Sequence, residues 1–164
     1  REFGLTNPAL ILNKVRDIVI ESFTNSREEV KDGMDIALIA LNFKTNVLRY
    51  AGANNNLYVI SDGELRVFKA DRQPIGKYVV TSDFNMQEVQ LKPGDTFYMF
   101  TDGFVDQFGG PDGKKFKTNR FLKILLEIQH LSMREQQKYI DKVFMDWKAD
   151  LDQIDDVCVI GVKV

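Results

Sequence analysis

Two apolar segments, Leu57 to Ile60 and Leu65 to Phe68, are separated only by Ser61-Asp62-Gly63-Glu64. A link this short joins antiparallel strands, and Asp-Gly between apolar runs is a strong hairpin signal. The rest of the chain has to be built around that pair. Asp35 to Phe43 is a nearly continuous apolar run, which predicts a strand buried on both faces. Lys44-Thr45-Asn46 turns it into a strand over Val47 to Ala51. Met86 to Leu91 alternates in part, with Val89 and Leu91 on one face. Pro93-Gly94-Asp95 is a turn, and Thr96 to Thr101 reads as a second buried strand. Val157 to Val164 closes the series.

Helical spacing appears at both ends of this block. Leu12, Val15, Val19 and Phe23 predict a helix over Pro8 to Phe23, with Thr6 or Asn7 as its cap and Pro8 in its first turn. Asn25-Ser26 and Lys31-Asp32-Gly33 read as loop. Two further helices are predicted over Asn119 to Gln129 and Ser132 to Trp147, the second with Ile140, Val143, Phe144 and Trp147 on its apolar face. The order is helix, hairpin-connected strands, two helices, strand. That is an α+β chain with a largely antiparallel sheet and helices on its faces. No repeat, low-complexity tract or linker interrupts the 164 residues, so residues 1–164 read as a single domain.

Composition removes several function classes. A net charge of -2 gives no electrostatic basis for nucleic acid or an anionic membrane as partner. No apolar run approaches the ~20 residues of a membrane-spanning helix. Arg1-Glu2-Phe3-Gly4 is neither a signal peptide nor a start at Met, which reads as an excised piece or a cloning scar, and the location expected is the cytoplasm. The single cysteine, Cys158, lies among Val157, Val159 and Ile160 and is expected to be a small buried hydrophobe in a reducing compartment.

Three places could carry chemistry. Thr101-Asp102-Gly103 follows the apolar strand Phe97 to Phe100. It reads either as an ordinary Asp-Gly turn or as a carboxylate aimed by a rigid strand at the sheet edge. Asp155-Asp156 precedes Val157. Adjacent carboxylates repel, and a divalent cation such as Mg²⁺ or Mn²⁺ removes that penalty. The alternative is a solvated acidic loop with Asp150 and Asp152. The acidic stretch is not an EF-hand: counted from Asp150 it lacks the sixth-position Gly and the closing Glu. Gly109 to Lys115 suggests a phosphate-binding loop but has Phe108 where that pattern needs Gly and Lys115 where it needs Ser or Thr. It reads instead as a mobile, partly basic loop, with nucleotide or phosphate sensing as the lesser alternative. His130 is the only histidine, with no nucleophile motif beside it, and one Cys with one His does not suggest zinc.

Five segments, in this order, carry a resemblance. They are Asp32-Gly33-Met34-Asp35-Ile36-Ala37-Leu38, Tyr50-Ala51-Gly52-Ala53-Asn54-Asn55-Asn56-Leu57-Tyr58, Asp71-Arg72-Gln73-Pro74-Ile75-Gly76, the stretch from Gly94 to Gly110, and Gln153-Ile154-Asp155-Asp156-Val157-Cys158-Val159-Ile160-Gly161. From about Pro8 to Val164 the chain resembles the SpoIIE-like branch of the metal-dependent (type 2C, PPM) protein serine/threonine phosphatases. The resemblance implies a four-layer α-β-β-α sandwich of antiparallel sheets. It implies hydrolysis of phosphoserine or phosphothreonine on a signalling protein. The nucleophile is then a water on a two-metal Mn²⁺ or Mg²⁺ site, and no side chain serves as nucleophile. It makes Asp102 and Asp155 metal ligands, with Gly103, Asp106 and Asp156 supporting them. The branch typically acts in bacterial sigma-factor regulation, so the partner implied is a phosphorylated protein such as an anti-sigma-factor antagonist.

The family also has an upstream Asp followed by Gly-His-Gly, and neither occurs here. The expectation is a domain truncated at its N-terminus, with an incomplete metal site, no activity of its own and an exposed sheet edge that pairs two copies. The alternative is a phosphatase-fold module that binds a partner without catalysis.

Overall fold

The computed structural model describes residues 4–24, 33–79 and 81–164. The expected loop at Asn25-Ser26 and Lys31-Asp32 lies outside the described residues, as does the first residue of the Asp32–Leu38 motif. The elements are α1 (Pro8–Thr24), β1 (Ile36–Asn42), β2 (Val47–Ala53), β3 (Leu57–Ser61), β4 (Glu64–Phe68), β5 (Gln87–Gln90) and β6 (Thr96–Phe100). They continue with α2 (Asp102–Asp106), β7 (Phe108–Gly109), β8 (Lys114–Lys115), α3 (Thr118–Glu127), α4 (Met133–Lys148) and β9 (Val159–Lys163). The chain divides into two compact units, Arg1–Tyr58 with Val67–Pro93 and Val164, and Val59–Arg66 with Gly94–Lys163.

In the first unit, the Asn7 carboxamide oxygen accepts from the Ala9 amide at 2.9 Å and starts α1, as the sequence suggests. Strands β1, β2 and β5 form an antiparallel sheet in the order β1-β2-β5. Ile36 lies opposite Ala53, and Val47 lies opposite both Asn42 and Gln90. Ala9, Leu12, Ala51, Ala53, Ile75 and Phe84 are buried together, with Val15, Val19, Ile36 and Leu38 packed against them. The Arg16 guanidinium is buried here and donates to the Ser82 carbonyl (2.6 Å) and the Gln73 carboxamide oxygen (3.3 Å). The Asp35–Phe43 run is not buried on both faces: β1 is half-buried along its length and Phe43 is 83% exposed. The reason is position. Among the described residues β1 lies at the edge of its sheet, and the central, more deeply covered place goes to β2.

In the second unit, Asp62 and Gly63 both take positive φ (51° and 78°), the backbone that a two-residue turn demands. The sheet order is β4-β3-β6-β9. β6 is interior and every residue in it is buried. It pairs antiparallel with β9, from Thr96 opposite Lys163 to Phe100 opposite Val159. Phe104 of α2 stacks on Phe121 of α3 (ring centroids 4.3 Å) and meets Phe116 and Phe144 at 5.2 and 5.0 Å. Aromatic contacts of this kind dominate the energetics of a small core. Ser132 caps α4 through a reciprocal capping box with Glu135.

Two expectations change here. Cys158 is exposed, not buried. Burial alternates from Val157 to Ile160, with Val157 and Val159 turned inward, so Cys158 falls on the outer face with Ile160. The Gly109–Lys115 stretch is not an irregular loop. Phe108 pairs with Lys115 and Gly109 with Lys114 in a small antiparallel ribbon.

Candidate functional site

β6 is a short, wholly buried strand, and it delivers Thr101 and Asp102 to the end of its sheet. Asp102 begins α2 and is exposed, while the next three residues, Gly103, Phe104 and Val105, are buried. The five-residue helix therefore has a fixed inner side and an outward carboxylate. No side chain caps it; Thr101 occupies the cap position with extended backbone. The hydroxyl of Thr101 is used differently. It donates to the Asp156 carbonyl (2.8 Å) and accepts from the Cys158 amide (2.9 Å). The Thr101 amide donates to the Cys158 carbonyl at 3.0 Å, which carries the β6–β9 ladder one step further.

Gly103 brings the two acidic segments together. A Cβ at this position would collide with the Asp156 carbonyl and come within 3.2 Å of the Asp155 carbonyl oxygen. Only glycine lets the α2 backbone approach the Asp155–Asp156 backbone this closely. The loop carrying Asp155 is thus fastened to the turn carrying Asp102. Asp155 and Asp156 are both exposed. The Asp155 carboxylate accepts from the Asp156 amide at 2.7 Å.

Asp106 sits at the other end of α2 and is paired with Lys115 (2.7 Å). This ion pair ties α2 to the small ribbon. Lys114 in turn faces Asp112 at 3.3 Å. The glycines of the ribbon serve packing. Gly109 and Gly110 lie against Trp147, whose carbonyl accepts from the Gly110 amide at 2.9 Å. Both lysines therefore have carboxylate partners, and the glycine-rich stretch is taken up by a tryptophan. His130 lies apart after α3, exposed, with its Nδ1 at 3.0 Å from the Glu127 carbonyl.

Sequence reasoning missed Gln107. Its side chain is fully buried. Its carboxamide nitrogen donates to the Asp152 carbonyl (2.9 Å) and its oxygen accepts from the Ile154 amide (3.3 Å). Its own carbonyl accepts from the Trp147 indole (3.0 Å). Nothing in a Phe-Val-Asp-Gln-Phe run marks the Gln as interior, because its partners lie about 45 residues away in sequence.

Carboxylates and carbonyls are the hard oxygen donors that Mg²⁺ and Mn²⁺ take. Asp102 and Asp155 therefore fit such an ion in kind. In number they do not complete a shell, since among the described residues no group of three or more His, Cys, Asp or Glu could hold a metal ion.

No curated protein matches the chain. Solved structures do. The SiaA-PP2C domain of Pseudomonas aeruginosa is similar over 96% of this chain and 61% of that one, with 30% identity and a TM-score of 0.86. The phosphatase domain of the cell fate determinant SpoIIE from Bacillus subtilis is similar over 97% of this chain and 74% of that one, with 14% identity and a TM-score of 0.57. The serine/threonine phosphatase PstP/Ppp of Mycobacterium tuberculosis is similar over 91% and 67%, with 12% identity and a TM-score of 0.64. The last two likenesses concern the fold alone. The chain spans 61% of the length of the SiaA domain. The fold is the α+β, antiparallel-sheet fold of type 2C phosphatase domains, as the resemblance implied. The family model for Stage II sporulation protein E (SpoIIE) matches residues 4–164, and the chain belongs to that family.

Proposed function

We propose that this chain forms part of a metal-dependent protein serine/threonine phosphatase, with Asp102 and Asp155 as its contribution to a Mn²⁺ or Mg²⁺ site. The observation that carries this reading is the joining of two acidic segments 53 residues apart through a glycine that leaves no room for a side chain. Family membership and the likeness to the SiaA domain support it. A divalent cation held there supplies positive charge against phosphoryl oxygens and acidifies water. The chain's own work is to fix the two carboxylates. β6 and the aromatic packing of Phe104 orient Asp102, and the Thr101 and Gly103 contacts set the Asp155 loop beside it.

The substrate class proposed is phosphoserine or phosphothreonine on a signalling protein, of the kind used in bacterial sigma-factor regulation. Mn²⁺ titration by calorimetry tests the site, with phosphopeptide hydrolysis assayed in the same samples. Binding that is lost in both Asp102→Asn and Asp155→Asn supports the assignment. Equal binding in the wild type and both variants sinks it. Binding to an unphosphorylated partner without turnover would favour the non-catalytic module instead.

β9 ends its sheet, with Ile160 48% exposed. We propose that this edge pairs with a second copy. A strict monomer in size-exclusion chromatography with light scattering would argue against that.

A further inference from the structure

The loop that carries Asp155 is held on both sides from the two ends of one short helix. Thr101, just before α2, reaches forward with its hydroxyl to the Asp156 carbonyl and the Cys158 amide. Gln107, just after α2, reaches back with its carboxamide to the Asp152 carbonyl and the Ile154 amide. The four backbone groups they hold bracket Asp155, two on its N-terminal side and two on its C-terminal side. Gln107 has no exposed surface, so its hydrogen bonds face little competition from water, and each broken one leaves an unpaired buried polar group. Trp147 closes over the same point, its indole donating to the Gln107 carbonyl and its ring 4.4 Å from the Arg120 guanidinium carbon.

We propose that Thr101 and Gln107 are positioning residues that together set Asp155 relative to Asp102. The inference rests on the reading of those two carboxylates as metal ligands. Neither residue touches the ion in this scheme. Thr101 acts through Asp156 and Cys158, and Gln107 acts through Asp152 and Ile154. Their common base is α2, whose first residue is Asp102. Moving either clamp therefore shifts Asp155 while Asp102 stays on α2, which Phe104 anchors in the aromatic core.

The test uses the full chain and Mn²⁺ alone as the probe. Thr101→Val keeps the shape and removes the hydroxyl, Thr101→Ser restores it, and Gln107→Glu keeps the length but removes the donor to Asp152. Groups that orient metal ligands typically change affinity by about 10–100-fold when altered. Thr101→Val is expected to weaken Mn²⁺ binding about tenfold and Thr101→Ser to recover most of it. Hydrogen exchange supplies a readout independent of metal. Amides 154–158 are expected to exchange faster in Thr101→Val and Gln107→Glu, with the α3 and α4 amides unchanged. Weak binding in Asp155→Asn but wild-type binding and exchange in Thr101→Val overturns the clamp alone. Unchanged binding in Asp155→Asn overturns the metal reading and the clamp's purpose with it. If Gln107→Glu does not fold, the Thr101 pair decides the matter.

Discussion

Gly103 lies against the Asp156 carbonyl so closely that a methyl group at position 103 would overlap it. Two effects compete in Gly103→Ala. Within a helix, Ala is favoured over Gly by up to about 1 kcal/mol. Forcing a carbon into a filled space costs about 1–3 kcal/mol, and here the neighbour is backbone and cannot rotate away. Gly103→Ala is therefore expected to lower stability by about 1–2 kcal/mol and to weaken Mn²⁺ binding. Urea denaturation checks the first expectation and calorimetry the second. A more stable variant would mean that the Asp155–Asp156 loop can retreat at no cost.

The Ser132 hydroxyl and then the Ser132 amide, both donating to Glu135, hold its carboxyl below the ordinary value of 4.5. The stabilisation this gives is fully present above about pH 4.5 and fades as pH falls through the lower, folded value. Thermal melts from pH 7 to pH 3 should show a Glu135→Gln variant whose deficit shrinks at the acid end. Ser132→Ala is expected to cost about 1 kcal/mol at pH 7. A deficit for Glu135→Gln that does not change with pH would rule out the capping box as the source.

Tyr50 is completely buried, and burial pushes its phenol well above the ordinary value of 10, with Asp71 adding to the rise. Its hydroxyl donates to the Asn55 carbonyl at 2.7 Å. A raised folded value means stability that is intact below about pH 10 and lost above it. In an absorbance titration, the Tyr50 phenol should ionise only as the chain unfolds in alkali. Tyr50→Phe should remove that step and lower stability at pH 7 by about 1 kcal/mol.

Cys158 is expected to react fully with a thiol reagent in the folded chain, without denaturant. Slow reaction at high protein concentration and fast reaction at low concentration would indicate a second copy covering the β9 edge. Slow reaction at every concentration would contradict the outward placement of Cys158.

Phe121 has no exposed surface and meets Phe100, Phe104 and Phe116. Phe121→Ala is expected to cost about 3–5 kcal/mol, a large share of the stability of a chain this size. Trp147, the only tryptophan, reports the loss by fluorescence because its ring meets Phe116 at 5.2 Å.

Most of the elements were legible because their periodicity is local. The helix from Pro8, the Asp62-Gly63 hairpin and the capped helix at Ser132 need only their own residues to be recognised. What escaped depended on partners distant in sequence. α2 is too short to show a period, and Asp-Gly at its start reads as a turn. The two-residue strands β7 and β8 exist because Trp147 offers a surface to Gly109 and Gly110. Cys158 turned outward because its pairing with the end of β6 set the register, which an apolar run alone does not disclose. The carboxylates stood as alternatives until five motifs in order suggested a role. Thr101 was noticed only as the neighbour of Asp102 and Gln107 gave no sign at all, since a hydroxyl and a carboxamide become positional devices only when a remote loop arrives.

The ring of Phe104 and the carboxylate of Asp102 sit two residues apart on a helix of barely more than one turn. So short a rod has no slack with which to isolate one end from the other. Anything that grips Asp102 also stiffens the phenyl rings, and by linkage it raises the temperature at which they part. Conversely, warming that loosens the rings blurs the carboxylate at the same moment. Heat that parts the rings is therefore expected to disorder the Asp102 carboxylate in the same transition.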